Sequence, residues 1–111
     1  PVVPCGDFAR RVFDKAGVVV SVDTEEPDVR AVLTKVAERE LDAGMVYVTD
    51  VVATPDRVAG IEIPAEHNVV AEYPIVVLAD AADKPAAEDF VAFVLSAEGR
   101  AILAARGFLL P

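Results

Sequence analysis

Apolar positions recur at helical spacing in several parts of the chain. Near the N-terminus they form one stripe within 5–16, and a second stripe follows within 28–40. Towards the C-terminus, Pro85 is suited to a first helical position, and a further stripe follows Ser96 and ends at Arg106. The pattern therefore predicts helices over 5–16 and 28–40, and two more that begin near Pro85 and Ser96.

Glycine and aspartate residues mark predicted helix ends and a predicted helix start. Gly17 and Gly107 each follow a helical stripe, where a residue in the left-handed conformation commonly ends a helix. Asp50 precedes Val51 and Ala53 and is expected to cap a short helical turn.

Short runs rich in β-branched residues lie between the helical stripes and are bounded by turn residues. They predict four strands, over 18–22, 43–49, 58–63 and 73–79. Strands that alternate with helices are typical of the α/β class, with a mostly parallel sheet flanked by helices. That is the fold class we predict.

Composition and charge exclude several classes of protein and of binding site. The chain has 111 residues, 54% of them hydrophobic, which is enough apolar surface to exclude a disordered chain. A formal net charge of −9 argues against nucleic acid as a partner. A single cysteine excludes a disulfide framework and a Cys-rich zinc site, and the carboxylates lack the spacing of a metal loop, so no metal site is expected.

The residues that usually carry catalysis are scarce. His67 is the only histidine, and it lies in the polar loop Glu66–Asn68, with nothing in the sequence to bring it to Cys5. A thiolate–imidazole pair is therefore disfavoured against a surface histidine. We expect no catalytic residues and no enzyme activity.

Two helix starts, at Pro4-Cys5-Gly6 and Asp28-Val29, are candidates for holding an anion. A helix N-terminus offers unpaired N–H groups and a partial positive charge, which can hold an oxyanion without a cationic side chain. The alternative is that both are ordinary helix starts. Tyr47 precedes the polar end of a predicted strand, where a ligand could accept from its hydroxyl; the alternative is a core tyrosine at the rim.

These features, taken in order, resemble the C-terminal half of the molybdate-binding proteins of ABC transporters. The resemblance covers essentially the whole chain. Its segments are Val3-Pro4-Cys5-Gly6, Asp28-Val29-Arg30, Ala43–Asp50, Glu72–Leu78, and Phe93 through Phe108.

The resemblance implies one lobe of the type II periplasmic-binding fold, which closes around a tetrahedral oxyanion. The backbone of Cys5, the backbone of Val29 and the hydroxyl of Tyr47 would be ligands of molybdate or tungstate, with no cofactor. Cysteine replaces the family's usual small residue at position 5, a change that a backbone contact tolerates.

The resemblance also implies an organisation and partners. Residues 1–71 would form part of the ligand-binding lobe, and residues 72–111 the returning strand and C-terminal helices that pack on a first lobe. That N-terminal half, with the serines that complete the family's site, is expected to be absent from this chain. The expected partners are the membrane permease and either the missing lobe or a swapped copy, in a periplasmic or extracytoplasmic location, with a lipid anchor as one option.

Two other functions stay open at this point. One is the ligand-sensing domain of a cytoplasmic transcription regulator with the same fold, which an upstream helix-turn-helix would indicate. The other is an interaction module without a small ligand, which an unchanged melting temperature in excess molybdate would indicate.

Overall fold

The computed structural model describes residues 4–110, so Val3, the first residue of the resemblance, lies outside the described part. The described residues form two compact units with their boundary between Ala71 and Glu72. The helices are α1 (Pro4–Ala16), α2 (Val29–Ala37), α3 (Val48–Val52), α4 (Lys84–Leu95) and α5 (Ala97–Ala105). No helix within residues 4–110 combines the length and the apolar character needed to cross a membrane.

Two helices end at the glycines that predicted their ends. Gly17 and Gly107 have φ angles of 64° and 85°, in the left-handed region. In α1, Val18 N–H donates to the Phe13 carbonyl at 3.0 Å and Gly17 N–H donates to Asp14 at 3.2 Å. Phe108 and Gly107 make the equivalent pair of bonds at the end of α5, so both ends are Schellman motifs.

The second helix ends earlier than predicted, at Ala37 rather than at residue 40. Arg39 adopts a φ of 64°, and Glu40 N–H donates to the Lys35 carbonyl at 2.8 Å. This is the same Schellman geometry with an arginine in the position that favours glycine. Because no glycine marks the position, the sequence does not reveal this end.

Three helix starts, those of α2, α4 and α5, are capped by carboxylate or hydroxyl side chains. Asp28 accepts from Ala31 N–H at 2.9 Å, Asp83 from Ala86 N–H at 3.0 Å, and Ser96 from Gly99 N–H at 3.2 Å. The predicted starts at Asp28 and Ser96 are confirmed. Pro85 lies one position further into α4 than predicted, because Lys84 is its first residue.

In the first unit, the segment that precedes α3 contacts two helices. The Met45 carbonyl meets Cys5 of α1. A Cβ at Gly44 would collide with Val32 and approach Val36 of α2, so this helix and the backbone of the segment are in direct contact.

None of the four predicted strands is paired with another strand within residues 4–110. The prediction for 43–49 was wrong at its end, because Val48 and Thr49 already belong to α3. The short helix expected over Val51–Ala53 is present but begins three residues earlier. The α/β class stays a prediction.

In the second unit, α4 and α5 pack against each other, and Gly99 of α5 is buried. A Cβ at Gly99 would lie 2.6 Å from the Val94 carbonyl oxygen and 2.8 Å from its Cα, so the close helix–helix turn requires glycine. Tyr73 and Phe108 meet edge to face, with ring centroids 6.1 Å apart.

Candidate functional site

Cys5 and Tyr47, 42 positions apart in sequence, line one small cavity of about 50 Å³ in the first unit. Cys5 and Val12, both in α1, are buried, with exposures of 9% and 7%. The other lining residues are Phe8, Ala9, Met45, Val46, Ile63, Asn68 and Val69. The cavity is thus bounded by one face of α1 and by non-helical segments around residues 45 and 68.

The Cys5 thiol joins α1 to the segment before α3. Its Sγ lies 3.7 Å from the Met45 carbonyl oxygen, to which the thiol donates a weak hydrogen bond. At the other end of α1, the Lys15 ammonium donates to the Asn68 carbonyl at 2.8 Å. These two contacts hold the helix against both non-helical walls of the cavity.

The environment of Cys5 keeps its thiol protonated. Burial raises the pKa of Cys5, and the negative charge of Asp50 raises it further. A hydrogen bond from the Tyr47 side chain acts in the opposite direction, because a hydroxyl donor stabilises the thiolate. The Tyr47 hydroxyl therefore lies within hydrogen-bonding reach of the Cys5 side chain.

Tyr47 is the N-cap of α3, and Asp50 holds its backbone. Tyr47 N–H donates to Asp50 Oδ2 at 3.0 Å, and the Tyr47 carbonyl accepts from Asp50 N–H, also at 3.0 Å. The prediction that Asp50 caps a helical turn was wrong in register, since Asp50 lies within the helix and reaches back to Tyr47. This is the carboxylate half of a capping box.

Val29 is the first residue of α2, as predicted from Asp28. The Asp28 side chain accepts from Ala31 N–H and leaves the Val29 N–H without a hydrogen bond among residues 4–110. Val29 is half-buried and does not line the cavity of Cys5 and Tyr47. Its helix packs against α3, the helix that Tyr47 caps.

The structure thus brings two of the three predicted ligands together and places the third at the start of a neighbouring helix. Sequence reasoning missed the Met45 carbonyl and the role of Asp50. His67 is half-buried, and its Nδ1 lacks a hydrogen-bond partner among residues 4–110. It does not line the cavity that contains Cys5, as expected for a histidine that forms no pair with this thiol. Within the same residues, no three His, Cys, Asp or Glu side chains are grouped to hold a metal ion.

The chemistry of this site is hydrogen-bond donation. Cys5 is the second residue of α1, in the first turn where backbone N–H groups have no intrahelical acceptor. Tyr47 contributes a phenolic hydroxyl, a donor and acceptor. Such groups can hold the oxygens of an anion that only accepts hydrogen bonds.

Comparison with known proteins finds one matching family and related proteins of known name. The family described as bacterial extracellular solute-binding protein matches residues 1–109. The molybdate-binding protein ModA of Mycobacterium bovis and that of Mycobacterium tuberculosis are each 40% identical to the chain over 111 residues. The match covers 100% of this chain and 42% of each relative. No solved structure matches the chain significantly.

These findings confirm the resemblance drawn from the sequence. The family match spans nearly the whole chain, including the elements that carry Cys5, Val29 and Tyr47. The chain belongs to the bacterial extracellular solute-binding protein family.

Proposed function

We propose that this chain provides part of the oxyanion site of a molybdate-binding, solute-binding component of an ABC transporter. The observation that carries the proposal is the meeting of the first turn of α1, at Cys5, with the Tyr47 side chain in one small cavity. The two relatives, both named molybdate-binding, support the choice of ligand. Tungstate has the same charge and shape and is the alternative ligand.

Three donors are assigned to the anion. The backbone N–H groups of Cys5 and Val29 donate from the first turns of α1 and α2, and the Tyr47 hydroxyl donates from the start of α3. Helix N-termini favour a negative charge through their partial positive charge. The diffuse charge of −9 opposes binding weakly, because it is screened beyond roughly 8–10 Å.

A site made of donors selects among oxyanions by protonation state. Molybdate, tungstate and sulfate are fully deprotonated near neutral pH and only accept hydrogen bonds. A protonated phosphate would leave its own O–H without an acceptor, which disfavours it. Discrimination between molybdate and sulfate would then depend on cavity size.

The site is proposed to be incomplete in this chain, which spans 42% of the length of the curated relatives that it matches. Each charge-assisted hydrogen bond contributes on the order of 1.5–3 kcal/mol, so several missing donors would weaken binding by several decades. The rest of the site, including the predicted serines, would come from a first lobe.

Location and partners follow from the same proposal. The family is described as extracellular, which favours a transport role over a cytoplasmic regulator and a binding role over an enzyme. A membrane permease is the proposed protein partner, and a lipid anchor in the full-length protein is consistent with this location. The second unit is proposed to pack on a first lobe or on a swapped copy of the chain.

Titration calorimetry with sodium molybdate tests the function. We expect the full-length gene product to bind molybdate tightly, and the 111-residue chain to show affinity weaker by at least a thousandfold. Sodium phosphate at the same pH is the control and is expected to give no binding heat with either protein. Absence of molybdate binding by the full-length product would contradict the function. Tight binding by the isolated, monomeric chain would contradict the incomplete site.

A further inference from the structure

Asp50 and Tyr47 are joined by a reciprocal pair of hydrogen bonds. The Asp50 carboxylate accepts from Tyr47 N–H and the Asp50 N–H donates to the Tyr47 carbonyl, each at 3.0 Å. The Tyr47 carbonyl also accepts from Val51 N–H at 3.4 Å. Both polar groups of the Tyr47 backbone are therefore fixed to the first turn of α3.

This pair fixes the position from which the Tyr47 side chain leaves the backbone. Tyr47 has φ −79° and ψ 153°, an extended conformation, while Val48 is already helical, so the chain changes direction at this residue. In a capping box the N3 side chain satisfies the N-cap backbone N–H, so its removal takes away one constraint on the N-cap residue. A small rotation at the backbone becomes a large displacement at the phenolic oxygen, the far end of the side chain.

We propose that Asp50 is a positioning residue for oxyanion binding, which sets the place of the Tyr47 hydroxyl by accepting a hydrogen bond from the Tyr47 backbone. This inference rests on the proposed function of Tyr47 as a ligand. It assigns Asp50 an indirect role, since a carboxylate would repel the oxygens of a dianion.

The hydrogen bond that the Asp50 carboxylate accepts can be tested separately from the negative charge of this carboxylate. Asp50 is half-buried and lines an open groove together with Arg30 and Arg57, but within residues 4–110 it forms no ion pair. Its charge also acts on the Cys5 thiol, whose pKa it raises. Two neutral replacements, one with an acceptor and one without, therefore isolate the hydrogen bond from the charge.

The test compares Asp50→Asn with Asp50→Ala in the full-length gene product. Asparagine keeps a side-chain oxygen that can accept from Tyr47 N–H, whereas alanine has none. We expect the dissociation constant for molybdate to stay within threefold for Asp50→Asn and to rise at least tenfold for Asp50→Ala. Asp50→Leu, close to asparagine in size but without an acceptor, replaces the alanine variant if that variant does not fold.

A second readout follows Tyr47 without molybdate. Fluorotyrosine labelling gives a ¹⁹F resonance for Tyr47, assigned by its loss in Tyr47→Phe. This resonance is expected to shift or broaden in Asp50→Ala and to stay in place in Asp50→Asn. The matched control is Asp83→Ala, which removes a carboxylate that accepts from Ala86 N–H, also at 3.0 Å, and should change neither readout.

The outcomes separate the two proposals. Equal dissociation constants for the asparagine and alanine variants, or an unchanged Tyr47 resonance in Asp50→Ala, would overturn the role of Asp50 and leave the function intact. If the unaltered full-length product does not bind molybdate, the proposed function fails, and the ¹⁹F resonance still decides whether Asp50 positions Tyr47.

Discussion

The two units of the chain differ in what surrounds their buried residues. In the first unit, Cys5 and Val12 are buried and Tyr47 is half-buried, and Cys5 and Tyr47 line one small cavity formed within that unit. Among residues 72–110 of the second unit, Gly99 is the buried residue, while Phe90 on α4 and Ile102 on α5 are 60% and 51% exposed.

The first unit holds its site with local devices: capped helix starts, left-handed helix ends and the bond from Cys5 to the Met45 carbonyl. Both units leave large apolar side chains in water, among them Val19 and Ile61 in the first unit, and extensive exposed apolar area marks a surface that another surface covers. We therefore propose that binding chemistry belongs to the first unit, and packing against another lobe stays a proposal for the second.

The largest expected effect concerns the second unit. We expect the isolated chain, of 11.7 kDa, to associate in solution, because burying exposed phenylalanine and isoleucine side chains stabilises the associated form. Multi-angle light scattering should give at least twice the monomer mass, and Phe90→Glu should shift the chain towards monomer. Glu88→Gln, on the same helix, should leave the mass unchanged. A chain that stays monomeric at all concentrations would contradict the packing role proposed for the second unit.

The next effect concerns the first unit. Tyr47→Phe is expected to weaken molybdate binding by the full-length product at least tenfold, since a lost charge-assisted hydrogen bond costs roughly 1.5–3 kcal/mol. Tyr73→Phe is the control, because Tyr73 is 68% exposed and belongs to the second unit. Calorimetric titration measures both. Equal losses in the two variants would remove the distinction between the units.

A smaller effect is expected at the thiol. Burial and Asp50 raise the pKa of Cys5, so iodoacetamide should react with the folded chain only at higher pH than with the urea-unfolded chain. A thiol whose pKa is higher in the folded state stabilises the fold fully below its unfolded pKa, and this contribution is lost as pH rises through the folded pKa. Superimposed alkylation profiles for the folded and unfolded chain would show that Cys5 is not enclosed.

Local signals in the sequence predicted much of the helical structure. The starts at Asp28 and Ser96 and the ends at Gly17 and Gly107 are confirmed because each depends on one residue and its immediate neighbours. The end of α2 was missed because Arg39 occupies a left-handed position that usually belongs to glycine.

Long-range features were harder to predict. Strand pairing depends on segments far apart in the sequence, so a β-branched run such as 18–22 predicts a strand without identifying its neighbour. Cys5 and Tyr47 could be chosen singly, from a helix start and a strand end, but not placed in one cavity. The bond from Asp50 back to Tyr47 was also missed, since Asp50 suits the first position of a shorter turn equally well.

The most direct test of the account follows individual backbone N–H groups. In ¹H–¹⁵N spectra of the full-length gene product, addition of sodium molybdate should cause its largest shifts at Cys5, Val29 and the residues around Tyr47. Sodium phosphate at the same concentration should cause none of them. Molybdate-induced shifts confined to other residues, with these three positions unmoved, would contradict an oxyanion site built from two helix N-termini and one tyrosine.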